Sequence, residues 1–216
     1  MSLWRPNPFR RRPADPGDAI RRHYRRRLRR YRSNWAICHW AAGDTQKLRF
    51  SVLTSNVDLR SKRLLDVGCG LGDLWAFLGG KDSSVEYVGV DLLEEMVAEG
   101  RRRNPGANLI CADIFASEGE ELFPPQSFDV VFCSGALNLE LGNNDTFVPR
   151  ALVRMFELAR ETFVFNLLHR RVTPSGGAFH PFDPKEVLEI LRPLPCDVRI
   201  IDDYLPNDFT VVCSRR

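Results

Sequence analysis

Three glycines at positions 68, 70 and 72 follow the apolar run Arg63-Leu64-Leu65-Asp66-Val67 and precede Asp73-Leu74. A strand that breaks into such a turn and restarts as a helix lets the backbone approach a ligand closely. The spacing decides which ligand. A dinucleotide turn runs G-x-G-x-x-G, with its third glycine packing helix on strand beneath a pyrophosphate. Here that third place, position 73, is Asp, and an acid faces a pyrophosphate badly. With Asp66 two residues before the first glycine, a G-x-G-x-G turn suits an aminocarboxylate and a ribose.

Three further polar residues close apolar runs. Asp91 follows the run at 85–90, Asp113 the run at 108–112, and Ser134 the run at 128–133. Each alone is a common turn former or helix cap. Open parallel sheets bind ligands outside the carboxyl ends of their strands. Four such positions in order therefore make a constellation.

Residues 43–216 resemble the class I S-adenosylmethionine-dependent methyltransferases. The likeness rests on the glycine motif at 64–72, the acids Asp91 and Asp113, and the segment 133–138. Trp40 to Phe50, Ser134-Gly135-Ala136-Leu137-Asn138 and Pro206-Asn207-Asp208-Phe209 also resemble stretches of a functionally unassigned bacterial group. The resemblance implies S-adenosyl-L-methionine as cofactor, held by Asp66, Gly68, Cys69, Gly70, Asp91, Leu92, Asp113, Ile114 and Ser134. Asp66 would face the cationic end of the methionine moiety. Asp91 would accept from the ribose hydroxyls, since an ionised carboxylate offers only acceptors. Asp113 would meet the adenine amine and Ile114 the ring.

These residues need a scaffold to hold them. The continuous apolar runs at 85–90 and 128–133 read as strands buried on both faces of a parallel sheet. Strands are expected also at 63–67, 108–112, 162–168, 197–201 and 209–213. Helices are expected over 44–56, where Asp44 caps and Leu48, Val52 and Leu53 turn inward, and over 147–160, where Phe147, Ala151, Met155 and Ala159 recur at spacing four. Asp183-Pro184-Lys185-Glu186 is a helix start with a capping Asp, Pro at the first position and Glu at the third. The fold class is α/β, a Rossmann-like, seven-stranded, mostly parallel sheet of order 3-2-1-4-5-7-6, the strand order coming from the resemblance.

Ahead of this domain, residues 1–42 form an arginine-rich arm and helix. Residues 1–32 hold twelve arginines against Asp15 and Asp18, a balance of +10, while the rest of the chain carries −7. Ile20, Tyr24, Leu28, Tyr31 and Trp35 recur at spacings of four, four, three and four, one stripe of an amphipathic helix capped by Asp18. Two readings stand open. The arginines contact nucleic acid or anionic lipid, or the stripe packs on the domain and roofs its cleft. Residues 1–17, with four prolines, are expected to be mobile.

A chain of 216 residues, 44% hydrophobic and 27% charged, is a globular domain with room for a full core. Lacking a long apolar run or an apolar leader, it is expected to be cytoplasmic and to have no membrane span. The six cysteines show no metal spacing, so no metal site is expected and buried free thiols are.

The acceptor is harder to read. Class I enzymes that methylate nucleobase amines carry an N/D-P-P-Y/F segment after strand four, and this chain has Cys133-Ser134-Gly135-Ala136. Methyl transfer to an O or N of a small molecule is therefore the leading expectation. An RNA-directed enzyme using residues 1–32 and a non-catalytic cofactor-binding protein are the alternatives. No catalytic residue is assigned; His169 and His180 are the candidates for a general base. Asn138 and Asn166 are candidates for orienting a substrate.

Overall fold

The computed structural model describes residues 16–116, 121–172 and 177–216. Residues 1–15, most of the segment expected to be mobile and the source of four of the twelve arginines of 1–32, lie outside them.

Seven strands form one sheet: β1 (Arg63–Val67), β2 (Glu86–Asp91), β3 (Leu109–Cys111), β4 (Phe128–Ser134), β5 (Ala159–Leu168), β6 (Cys196–Ile201) and β7 (Asp208–Arg215). Their order is β3-β2-β1-β4-β5-β7-β6, as the resemblance implies. The first five strands are parallel, and β7 enters antiparallel to β5 and β6. The chain winds outward from β1 to β3, then returns to β4 on its other side. That reversal opens a crevice at the carboxyl ends of β1 and β4.

Strand alternation sorts the core into two faces. Leu65, Val67, Val131 and Cys133 point to one face with Val148, Leu152 and Met155 of α6 (Asn144–Leu158) and Val187 of α7 (Pro184–Leu191). Leu64, Val130 and Phe132 point to the other, with Phe50 and Leu53 of α3 (Gly43–Asn56), Leu74 of α4 (Asp73–Phe77) and Val97 of α5 (Glu94–Arg103). Burial on both faces explains why β2 and β4 read as unbroken apolar runs.

Several boundaries differ from expectation. Asp44 lies inside the first turn of α3, Ala42 takes the cap position, and Leu48 is outward while Gln46 and Arg49 are buried. α6 starts at Asn144, before Phe147, because the Asn144 amide donates to the Leu139 carbonyl at 2.7 Å and accepts from Leu141 N at 2.8 Å. Ala159, expected on a helix stripe, begins β5. The Asp183 cap forms as expected, its Oδ1 accepting from Lys185 N at 2.9 Å.

The amphipathic segment divides. α1 (Pro16–Arg30) contains Asp18 inside its first turn, where it pairs with Arg21, and not at the expected cap position. A second helix, α2 (Asn34–Ile37), carries Trp35, which is 40% exposed. Extended backbone at Ser33 makes the break, and a periodicity of three and four runs across it by coincidence. Among the described residues no helix is long and apolar enough to cross a membrane.

Candidate functional site

The glycine turn is fastened to the end of β2. Gly68 N and Cys69 N donate to the Val90 carbonyl at 2.8 and 3.1 Å. Gly70 N donates to Asp91 Oδ2 and Leu93 N to Asp91 Oδ1, both at 3.0 Å. Asp91 thus ties the turn to the start of α5. Burial raises its pKa, and the backbone donors oppose that shift. Gly68 has φ +71°, and a Cβ there would lie 2.5 Å from the Ala136 Cβ. Only glycine suits both the dihedral and the wall.

Asp66 is buried beneath this turn, where the Tyr87 hydroxyl donates to its Oδ2 at 2.7 Å. Burial lifts the Asp66 carboxyl to about 7, although the Tyr87 hydrogen bond opposes the rise. Asp113 turns the chain after β3, accepting from Phe115 N at 3.0 Å, and the next residue, Ile114, is buried. Ser134 ends β4 with a buried hydroxyl that has no hydrogen-bond partner.

All nine residues singled out by the sequence line one cavity of about 840 Å³, within the range of small-molecule sites. Its roof is the N-terminal segment, which supplies Ile20, Tyr24, Cys38 and Trp40. Tyr24, Leu28 and Tyr31 pack on Ile37, Leu71, Leu93 and Met96, so this part of the stripe packs on the domain and roofs its cleft. Arg27 fastens it by donating through Nε to the Ile37 carbonyl at 3.2 Å and through Nη2 to the Ala36 carbonyl. His23 Nε2 meets His39 Nδ1 at 3.0 Å, and the His39 ring lies 4.6 Å from Phe179. Burial lowers both imidazoles, His39 to about 4, with Arg27 adding to each shift.

The wall after β4 is held from behind by a buried polar circuit. Gly135 N donates to Asn166 Oδ1 at 2.9 Å, and Asn166 Nδ2 donates to Asp208 Oδ1 at 3.2 Å. Asp208 forms a buried ion pair with Arg49, whose guanidinium sits 4.4 Å from the Trp40 ring. Trp40 closes the circuit: it lies so close over Gly135 that any Cβ there would collide with the ring. The three segments resembling the unassigned bacterial group meet in this circuit. Sequence reasoning noticed the segments and missed their junction. An arginine on an inward helix face was the available signal.

Other candidates fall elsewhere. His169 accepts from Arg171 N at 3.1 Å and sits edge-on to Phe209; His180 pairs with Glu140 at 3.0 Å. Neither lines the cavity. Asn138 and Asn166 are 3% and 2% exposed and spent on the protein's own groups, Asn138 Oδ1 accepting from Leu168 N at 2.9 Å and Asn166 joining Gly135 to Asp208. They hold loops and do not face a substrate. The Cys133 thiol is buried and pushed up to about 12, which leaves it protonated and poorly nucleophilic.

Comparison with known proteins agrees with this geometry. Residues 64–161 match the methyltransferase domain family. An O-methyltransferase of ubiquinone biosynthesis from Pseudomonas fluorescens (strain Pf0-1) is 33% identical over 150 residues, covering 68% of this chain and 61% of that protein. Rv1506c of Mycobacterium tuberculosis, named as an unproven methyltransferase, is 26% identical over 160 residues, covering 69% of this chain and 91% of that one. The crystal structure of magnesium protoporphyrin IX methyltransferase from Synechocystis PCC 6803 with bound SAH superimposes with a TM-score of 0.69 at 14% identity, covering 94% of this chain and 100% of that one. Residues 64–161 thus form a methyltransferase domain, set in the fold of the class I S-adenosylmethionine-dependent methyltransferases.

Proposed function

We propose that the protein transfers a methyl group from S-adenosylmethionine to an oxygen of a small, largely apolar acceptor held under the α1 roof. The observation that carries this reading is the roofed cavity on which the nine residues converge. Its residues fit the cofactor. A close-approach glycine at 68 leaves room for backbone contact, and the orphaned Ser134 hydroxyl waits for a partner.

S-adenosylmethionine, when bound, supplies an electrophilic methyl group on a sulfonium. Asp66 offers a buried carboxylate to its amino group. Each Asp91 oxygen already accepts one backbone N–H, and a carboxylate has about four lone-pair sites. Two acceptor sites therefore stay open for a pair of ribose hydroxyls. Asp113 and Ile114 frame the adenine end. Tyr24 in the roof holds its proton, because burial raises its pKa, so it can donate a hydrogen bond but does not act as a base at neutral pH.

No histidine lines the described cavity. In-line displacement on a sulfonium is served by proximity and alignment, which the Trp40–Arg49–Asp208–Asn166 circuit provides by fixing the wall at Gly135. Ile20, Phe50, Leu137 and Phe147 give the lining its apolar character. A relative named for O-methylation supports oxygen as the acceptor atom. The inward turn of Tyr24 and Tyr31 leaves the outer face of α1 without aromatic platforms for bases, which argues against an RNA acceptor.

Titration calorimetry with S-adenosylmethionine and S-adenosylhomocysteine tests the cofactor, with Asp91→Ala expected to weaken both. Label transfer from radioactive cofactor into fractionated cell extract tests the acceptor. Label is expected in the small, organic-soluble fraction. Label confined to RNA or protein would reject the acceptor class.

A further inference from the structure

The seven arginines of α1 do not share one task. Arg21 pairs with Asp18, Arg25 with Glu95, and Arg27 binds the carbonyls of α2. Arg22, Arg26, Arg29 and Arg30 are exposed and carry no ion pair among the described residues, Arg30 lying 5.6 Å from the Tyr31 ring, and Arg32 beyond the helix is likewise exposed. Positions 22, 26 and 29 fall at helical spacing of four and three, one stripe about 10 Å long at a rise of 1.5 Å per residue. None of the three acids on the neighbouring α5, Glu94, Glu95 and Glu99, forms an ion pair with this stripe among the described residues, although Glu95 feels the charge of Arg29. Glu95 is taken by Arg25, and Glu99 by Arg102 and Arg103.

A helix that is basic outside and apolar inside, lying over the mouth of an apolar cavity, has the layout of a surface-docking element. We infer that the Arg22–Arg26–Arg29 face docks the protein on an anionic lipid surface, setting the roof of the cavity against the membrane. Charge complementarity supplies the attraction, since headgroup phosphates present a plane of negative charge to a straight row of arginines. Trp35, 40% exposed just past the end of α1, adds an indole of the kind that settles at the membrane interface. Nucleic acid fits less well, because Tyr24 lines the cavity and Tyr31 packs inward against the Ile37 cluster, so neither is presented for stacking on bases. The proposed apolar acceptor gives this docking a purpose, but the docking itself does not depend on methyl transfer.

The test uses the full chain with two vesicle preparations, phosphatidylcholine alone and phosphatidylcholine mixed with phosphatidylglycerol, at low and high salt. Co-sedimentation is expected only with the anionic vesicles, and added salt should weaken it. Each arginine near such a surface contributes about fivefold in affinity, so Arg22→Gln, Arg26→Gln and Arg29→Gln together should lose about 100-fold. Arginines 5 and 10 to 12 stay in that variant, so the loss reports on α1. Replacing the same three by lysine should keep binding, and S-adenosylhomocysteine affinity should be unchanged in both variants. Equal binding to neutral vesicles would overturn the inference. So would full binding by the glutamine variant, or capture of a single-stranded RNA at a salt concentration where anionic vesicles do not bind. Failure of cofactor binding in the unmodified chain would instead count against the proposed function, leaving the vesicle result to stand alone.

Discussion

Asp66 is a carboxyl whose burial raises its pKa to about 7, well above the usual ~3.9. The folded chain therefore holds a proton on it between about pH 4 and 7 that the unfolded chain has released. Its contribution to folding stability is fully present below about pH 4 and falls as pH rises through that window. A cation placed against it favours the ionised form and expels the proton. Cofactor binding at about pH 6 should thus release protons, and affinity should climb with pH until about 7 and then level. Calorimetry in two buffers of different ionisation heat measures the release directly. Identical heats in both buffers, or a release that survives Asp66→Asn, would remove Asp66 from the amino end of the cofactor. Asp66, Asp91 and Asp113 were legible in the sequence because each sits beside an apolar run that marks its strand. Asn166 was visible as a polar residue in a strand but not as the partner of Gly135, because that pairing depends on which strands become neighbours.

The same distinction governs the elements. β2 and β4 announced themselves through composition. The end of α1 did not, since its stripe continues in phase into α2. The Arg49–Asp208 pair joins α3 to the start of β7, and nothing local at either residue names the other. Removing one member of a buried pair strands the other charge, at a cost of about 3–5 kcal/mol. Arg49→Met should lower stability by that amount in urea titration, and adding Asp208→Leu should restore part of it. A single variant that unfolds like the parent would show that the circuit carries no strain when cut. The roof is fastened differently. His39 is held down to about 4 by burial, then by Arg27 and His23, so the closed roof binds fewer protons than a detached one. Stability of closure is present above about pH 6.5 and is lost as pH falls toward 4. Hydrogen exchange in residues 16–30, corrected for intrinsic rate, should accelerate from about pH 7 to pH 5 in the parent and less in His39→Phe, where the lowered His23 is the remaining imidazole.

At the scale of the whole molecule, the cavity is a consequence of winding order. β1 and β4 are neighbours whose following segments leave in opposite directions, and the N-terminal helices, which belong to neither face of the sheet, close the gap. A ligand filling the cavity would touch residues at the ends of β1, β2, β3 and β4 and in the roof at once, so its binding energy should appear as stability of the entire fold. At about 100 times its Kd, S-adenosylhomocysteine adds roughly 2.7 kcal/mol. For a chain of this length one kcal/mol moves Tm by about 2–4 °C, which gives a rise of roughly 5–11 °C in a two-state melt. Asp91→Ala should lose most of that rise at the same ligand concentration, because it removes both the open acceptor sites and the tie between the glycine turn and α5. Asp202→Ala, on the surface away from the cavity and paired with Arg171, should keep it. If both variants kept the shift, the ligand would be binding somewhere other than the crevice between β1 and β4.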